Sequence, residues 1–176
     1  RFHMFVSVYY HHTSVNFDEM LRRFYLEAPG EAAIPSDPER FVECDDVWLA
    51  TALRRSDNRW ARRIVARQGY KLVAQATGLD REYDFDALGA ALDAQGLEHF
   101  RVDSLGVLSK YFAGEREGGP SLYVVDSATG VRTPVAEYTP LYQRYAQAIR
   151  LTRLYCRPDQ APQGRAIVAD IVRGAI

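Results

Sequence analysis

Phe2, Phe5, Val6, Tyr9, Thr13, Phe17, Met20, Leu21 and Phe24 recur at steps of three and four. This is the stripe of a helix buried along one side. No proline or glycine interrupts it before Pro29-Gly30, so the pattern predicts one continuous helix over residues 1–28. On that helix Tyr9, His12 and Thr13 lie on or near the buried stripe, and His11 projects from the flank beside them.

Beyond the helix, residues 29–38 collect Gly, Pro, Ser and Asp and read as a loop. Ser36 or Asp37 can cap a short turn, with Pro38 at its first helical position. Asp45 and Asp46 open a helix carrying Val47, Trp48, Leu49, Ala52 and Leu53, where carboxylates suit the positive helix end. Ser56 or Asp57 starts another, with Trp60, Ile64 and Val65 inward and Arg59, Arg62, Arg63 and Arg67 outward, ended by Gly69.

The period then changes. Residues 70–74 have a strand-like mix, 85–92 form an amphipathic helix opened by Asp84, and 100–105 alternate as a strand. A Gly-rich turn over 115–120 leads to a strand over 121–126, and 131–135 return as a hairpin. Thr139 caps a helix over 140–147, residues 149–156 alternate again, and 163–172 close as a helix. Strand, helix, strand, strand, helix, strand is the order of a split βαβ. The expected fold is therefore α+β: an all-helical segment over 1–69, then a ferredoxin-like βαββαβ antiparallel sheet over 70–176 with helices on one face.

With 176 residues and 47% hydrophobic content, the chain can bury a core as one or two domains. The net charge of −1 hides a local basic face, because Arg54, Arg55, Arg59, Arg62, Arg63 and Arg67 crowd one segment. Cys44 and Cys156 lack any spacing pattern, which points to the reducing cytoplasm rather than a disulfide framework. No apolar run approaches the roughly 20 residues of a membrane span, so no membrane partner is expected. The strand over 121–126 lacks paired exposed aromatics with basic flanks, so nucleic acid is not expected either. The chain starts at Arg1 inside a helical pattern and is read as a fragment of a longer protein.

Three of the four histidines fall in residues 1–12. His11 and His12 point about 100° apart on a helix, a poor pair for one metal, and neither HExxH nor CxxC occurs. A histidine or tyrosine on a helix is more often a packing residue than a ligand. Most of the six arginines read as a solvated face. Arg67 and Lys71 differ, because they straddle Gly69 where helix gives way to strand. A guanidinium and an ammonium at such a turn, with backbone amides close by, form a cradle for phosphate. There is no GxSxG elbow, P-loop or GxGxxG.

Val8-Tyr9-Tyr10-His11-His12-Thr13, continuing to Met20-Leu21, resembles the helix that follows the catalytic core in HD-domain phosphohydrolases, written V-Y-x-H-K-T-x-x-A-x-E-x-M-L. These are relatives of the deoxynucleotide triphosphohydrolases. Asp45-Asp46-Val47-Trp48 resembles the family's D-D-x-x-(W/Y) helix start, and Arg67-Gln68-Gly69-Tyr70-Lys71 its R-x-L-x-K segment. Arg153-Leu154-Tyr155-Cys156 is similar to its R-(I/L)-(Y/F) strand. The resemblance implies that Tyr9 and His11 border a substrate pocket. It also implies that His12, Arg67 and Lys71 bind a nucleotide or other phosphorylated small molecule at a subunit interface, hence a homo-oligomer. The family's lysine is His12 here, its leucine is Gly69, and its pocket histidine one turn before the tyrosine is Phe5.

In the family a divalent metal activates water against a phosphate ester or anhydride, held by an H…HD…D signature upstream of this helix. The chain contains no His-Asp dipeptide, so the fragment alone is expected to be inactive. The competing expectation is a non-catalytic regulatory or oligomerisation module whose basic helix meets a partner or a small anion.

Overall fold

The computed structural model describes residues 4–77, 83–106, 123–138 and 149–174. The first helical stripe is not one helix. Phe5–Tyr9 forms a π-helical turn, and α1 begins only at His12 and runs to Glu27. His11 between them is extended (φ −58°, ψ 133°), and its Nδ1 accepts the Thr13 N–H at 3.3 Å as a helix cap. Two tethers hold this elbow. Tyr10 donates its hydroxyl to the Leu105 carbonyl at 3.0 Å, and Tyr155 donates to the His12 carbonyl at 2.9 Å. Tertiary anchoring thus overrides a periodicity that by itself favours one rod.

The following helices are α2 (Pro38–Phe41), α3 (Asp46–Arg55) and α4 (Arg59–Val65). Asp37 and Asp45 cap the first two, accepting the Glu39 and Trp48 N–H groups. The cap of α4 is Asn58, whose Oδ1 accepts the Trp60 N–H at 2.8 Å, rather than Ser56 or Asp57. Ser56 instead accepts the Asn58 N–H at 3.0 Å and so shapes the entry to the helix.

Strand β1 (Lys71–Thr77), helix α5 (Phe85–Ala94) and strand β2 (His99–Gly106) follow. The remaining described elements are β3 (Tyr123–Val125), β4 (Arg132–Pro134), α6 (Val135–Tyr138), β5 (Ile149–Cys156) and α7 (Ala161–Gly174). The expected helix over 140–147 lies outside the described residues.

The main sheet has the order β1-β5-β2, with β5 antiparallel to both neighbours, so β1, α5 and β2 form a crossover around a central strand supplied from far along the chain. β3 and β4 pair as a separate two-stranded sheet. An α+β fold built on antiparallel sheet is therefore present, with a different distribution of strands from the single sheet expected.

Helices cover both faces of the main sheet, not one. α5 and α7 pack Leu88, Leu92 and Val168 against Ala76, Leu154 and Cys156. On the opposite face, α1 and α4 bring Met20, Phe24 and Trp60 onto Phe100 and Tyr155. The strand alternation explains the division, because Tyr155 and Leu154 point to opposite sides of β5. The helical segment thus shares a core with the sheet.

Candidate functional site

The Arg67–Lys71 turn is shaped by the end of α4. The Arg67 N–H bonds the Ile64 carbonyl at 3.0 Å and the Gln68 N–H bonds the Arg63 carbonyl at 2.8 Å. This is the paired arrangement that closes a helix with a left-handed residue. Arg67 is that residue, at φ 54°, where glycine is favoured and a side chain costs about 1–2 kcal/mol. The sequence pattern puts the break at Gly69, but Gly69 serves a different need. It is buried, and a Cβ there would meet Asn16 and the Phe17 ring.

Beside this turn, Arg63, Arg67, Gln68, Gly69, Lys71, Arg157, Pro158 and Asp159 line an open cleft of about 560 Å³. Four cationic side chains therefore converge on one space. Among the described residues, none of Arg63, Arg67 and Lys71 pairs with a carboxylate. Arg63 lies over the Tyr70 ring, 5.3 Å from its centroid. Arg157 is the neutralised member, bound to Asp159 at 2.7 and 2.8 Å and to Glu98 at 3.5 Å. The hydrogen bonding donated by Arg157 heads the causes holding the Asp159 carboxyl below its usual range. Glu98 also accepts from Tyr70 at 2.6 Å and from Arg59 at 3.1 Å, pinning the wall of the cleft.

No sequence motif marks Arg63 or Arg157 as a site residue. Arg63 stands four residues before Arg67, on the same side of a helix, and that spacing was the available signal. Nothing in the sequence marks Arg157, because the end of β5 reaches the α4 turn only through the β1–β5 pairing of Lys71 with Cys156.

The elbow is a second place. Tyr9 and His11 are both exposed on it, and the His11 and His12 rings lie 4.3 Å apart. Burial, then the neighbouring His11 and Arg153, lower the His12 pKa. His12 does not line the Arg67–Lys71 cleft. The structure therefore joins Arg67 with Lys71, and His11 with His12, as two separate groups. Beneath the elbow, Asn16 donates its Nδ2 to the Tyr70 carbonyl at 3.2 Å. Burial pushes the Tyr155 hydroxyl up to about 12, so it remains a donor to the His12 carbonyl.

Among the described residues, no group of three His, Cys, Asp or Glu side chains is placed to hold a metal ion. No described helix is long and apolar enough to cross a membrane.

An α+β chain with a helical N-terminal segment and a basic turn entering its sheet is thus defined. Residues 1–90 match the family described as the HD associated region, and the chain belongs to that family. No curated protein matches it. Among solved structures, the chain is similar to the crystal structure of a hypothetical protein from Aquifex aeolicus, with a TM-score of 0.62 and 18% identity. That likeness covers 96% of this chain and 42% of the other, so the chain spans less than half the length of its structural relative. At that identity the likeness is one of fold.

Proposed function

We propose that this chain is the C-terminal part of a metal-dependent HD-superfamily phosphohydrolase acting on (deoxy)nucleoside triphosphates, to which it contributes a substrate-pocket edge and a phosphate-binding regulatory cleft. The observation that carries this reading is the cleft itself, with Arg63, Arg67, Lys71 and Arg157 on its walls. Arg67 is kept in a left-handed conformation that glycine would adopt more easily, a cost consistent with selection for its charge.

In this reading Arg67 and Arg63 grip phosphate oxygens through paired N–H donors and Lys71 adds a point charge. Tyr9 and His11 border the substrate at the elbow, and His12 approaches a nucleotide from there. The metal would supply activated water from ligands outside this chain, and the described residues offer it no site. The HD-associated family membership supports the context, and the substrate class comes from the resemblance in the tyrosine–histidine and arginine–lysine segments.

Nucleotide-induced thermal stabilisation, with dGTP, GTP, dATP and ATP and no added metal, is the test. A nucleotide at about a hundred times its Kd raises Tm by roughly 5–10 °C. Arg67→Ala with Lys71→Ala weakens its binding about tenfold or more, since hydrogen bonds to charged groups are each worth about 1.5–3 kcal/mol. Unchanged affinity in the double variant returns both residues to a solvated face. Arg67→Gly gives an independent check: it relieves the left-handed strain and raises stability by up to about 1 kcal/mol in urea unfolding, while still weakening nucleotide binding. A loss of stability would remove the strain argument.

A second reading, an oligomerisation module, is favoured by Phe41, Val42 and Val47, which are 56%, 79% and 70% exposed around α2 and the start of α3. Molar mass in solution tests it, and a monomer at all concentrations would sink it.

A further inference from the structure

We infer that Arg153, on the sheet face beneath the Tyr10–His11 elbow, is the floor of a phosphoanion site completed by the first turn of α1. Arg153 lies on β5 opposite Gln75 of β1 and Val102 of β2 and is only 3% exposed. Its Nε donates to Gln75 Oε1 at 2.7 Å, yet its Nη1 is buried with no hydrogen-bond partner. No carboxylate among the described residues pairs with it. A guanidinium stays charged in a protein, and burying that charge without an anion is strongly destabilising.

Above Arg153 stands the start of α1, with no carboxylate in its first turn. Tyr155, two residues along β5, fastens the His12 carbonyl, and Arg153 is near enough to His12 for its charge to help depress that imidazole. α1 is sixteen residues long, opens with no acidic residue in its first turn, and is capped by the His11 imidazole. Its positive end and a buried guanidinium meet at one place. Helix N–H groups and a guanidinium fork together match the several acceptor oxygens of a phosphoryl group better than the two of a carboxylate.

This site is separate from the cleft. Gln75 is four residues along β1 from Lys71, roughly 13 Å of strand. The inference rests on the proposed reading only in taking the ligand to be phosphorylated, and it adds a residue for which that reading has no role. Because the guanidinium is only 3% exposed, the structure above it must shift to admit the anion.

The test uses inorganic phosphate and tripolyphosphate as probes, against chloride at equal ionic strength. One of the two anions raises the Tm of the wild-type chain by roughly 5–10 °C at saturation. At least half of the rise persists in Arg67→Ala/Lys71→Ala, and Arg153→Met loses at least half of it. In anion-free buffer Arg153→Met melts above the wild type, because an uncompensated buried charge is gone. On the wild type itself, the anion slows amide exchange at Thr13, Ser14 and Val15, a readout that stands even if the variant folds poorly. A larger response to inorganic phosphate identifies a single phosphoryl group as the occupant, and a larger one to tripolyphosphate identifies a polyphosphate end. A full rise in Arg153→Met, exchange protection confined to residues 67–71, or no rise with either anion overturns the site. The first two of these leave the Arg67–Lys71 cleft standing. A rise untouched by Arg67→Ala/Lys71→Ala but lost in Arg153→Met removes the cleft instead.

Discussion

Trp60→Ala is expected to cost about 3–5 kcal/mol, the range for deleting a large buried aromatic, and to lower Tm by roughly 10 °C in a chain of this size. The indole is 1% exposed. It lies with ring centroids 5.5 Å from Tyr70 and 6.4 Å from Phe100. The guanidinium carbons of Arg23 and Arg59 sit 5.3 and 4.6 Å from its centroid, and contacts of this kind add to the burial. Its Nε1 donates to Glu27 Oε1 at 2.7 Å. Hydrogen bonds from Arg59 and then Trp60 hold the Glu27 carboxyl below its usual range. Truncation therefore opens a cavity where α1, α4 and the sheet meet and also removes a donor from Glu27. Thermal unfolding of Trp60→Ala and Trp60→Phe separates the two contributions, since Phe refills much of the space without the N–H. A drop of less than about 2 °C for Trp60→Ala would show that the helices and the sheet do not share this core.

That shared core marks what the sequence could and could not reveal. The helices at 46–55, 59–65 and 85–94 were legible because each pairs a polar cap with an apolar period, and Asp45 and Asp84 cap as their positions suggest. The β5 strand was legible from its alternation, which sends Tyr155 to one core and Leu154 to the other. The break at Tyr10–His11 was not, because the periodicity of residues 2–24 is compatible with a straight helix. The hydroxyls that bend it reach Leu105 and His12 across sequence separations of 95 and 143.

The basic segment was legible as charge, but its sorting was not. Arg59 pairs with Glu27 and Glu98, and Arg62 with Asp57. Arg63 and Arg67 are left facing the cleft. Which arginine finds a carboxylate depends on Glu98, which lies 39 residues beyond Arg59 and arrives with the sheet. The burial of Arg153 was equally hidden, since an arginine in an alternating strand normally marks the solvent side. Only a helix laid across that face makes the position internal.

Gly69→Leu is expected to cost about 3 kcal/mol and to lower Tm by roughly 6–12 °C. A Cβ at Gly69 would fall within contact distance of Asn16 Nδ2 and 3.1 Å from the Phe17 ring. Asn16 cannot step aside cheaply, because it is 2% exposed and its Nδ2 satisfies the Tyr70 carbonyl. Displacing it adds the cost of an unmet buried acceptor, about 1–3 kcal/mol. The R-x-L-x-K segment that this turn resembles carries leucine at the position, so glycine here is explained by the closeness of α1 rather than by backbone conformation. The left-handed residue of the turn is Arg67. Asn16→Ala supplies the control: it removes the atom that the introduced side chain would strike, so the cost of Gly69→Leu should fall by about 1 kcal/mol or more in that background, a coupling of the size expected for residues in contact. Equal costs in both backgrounds would mean that α1 does not press on the turn. The Arg67–Lys71 cleft would then be positioned by α4 and the sheet alone.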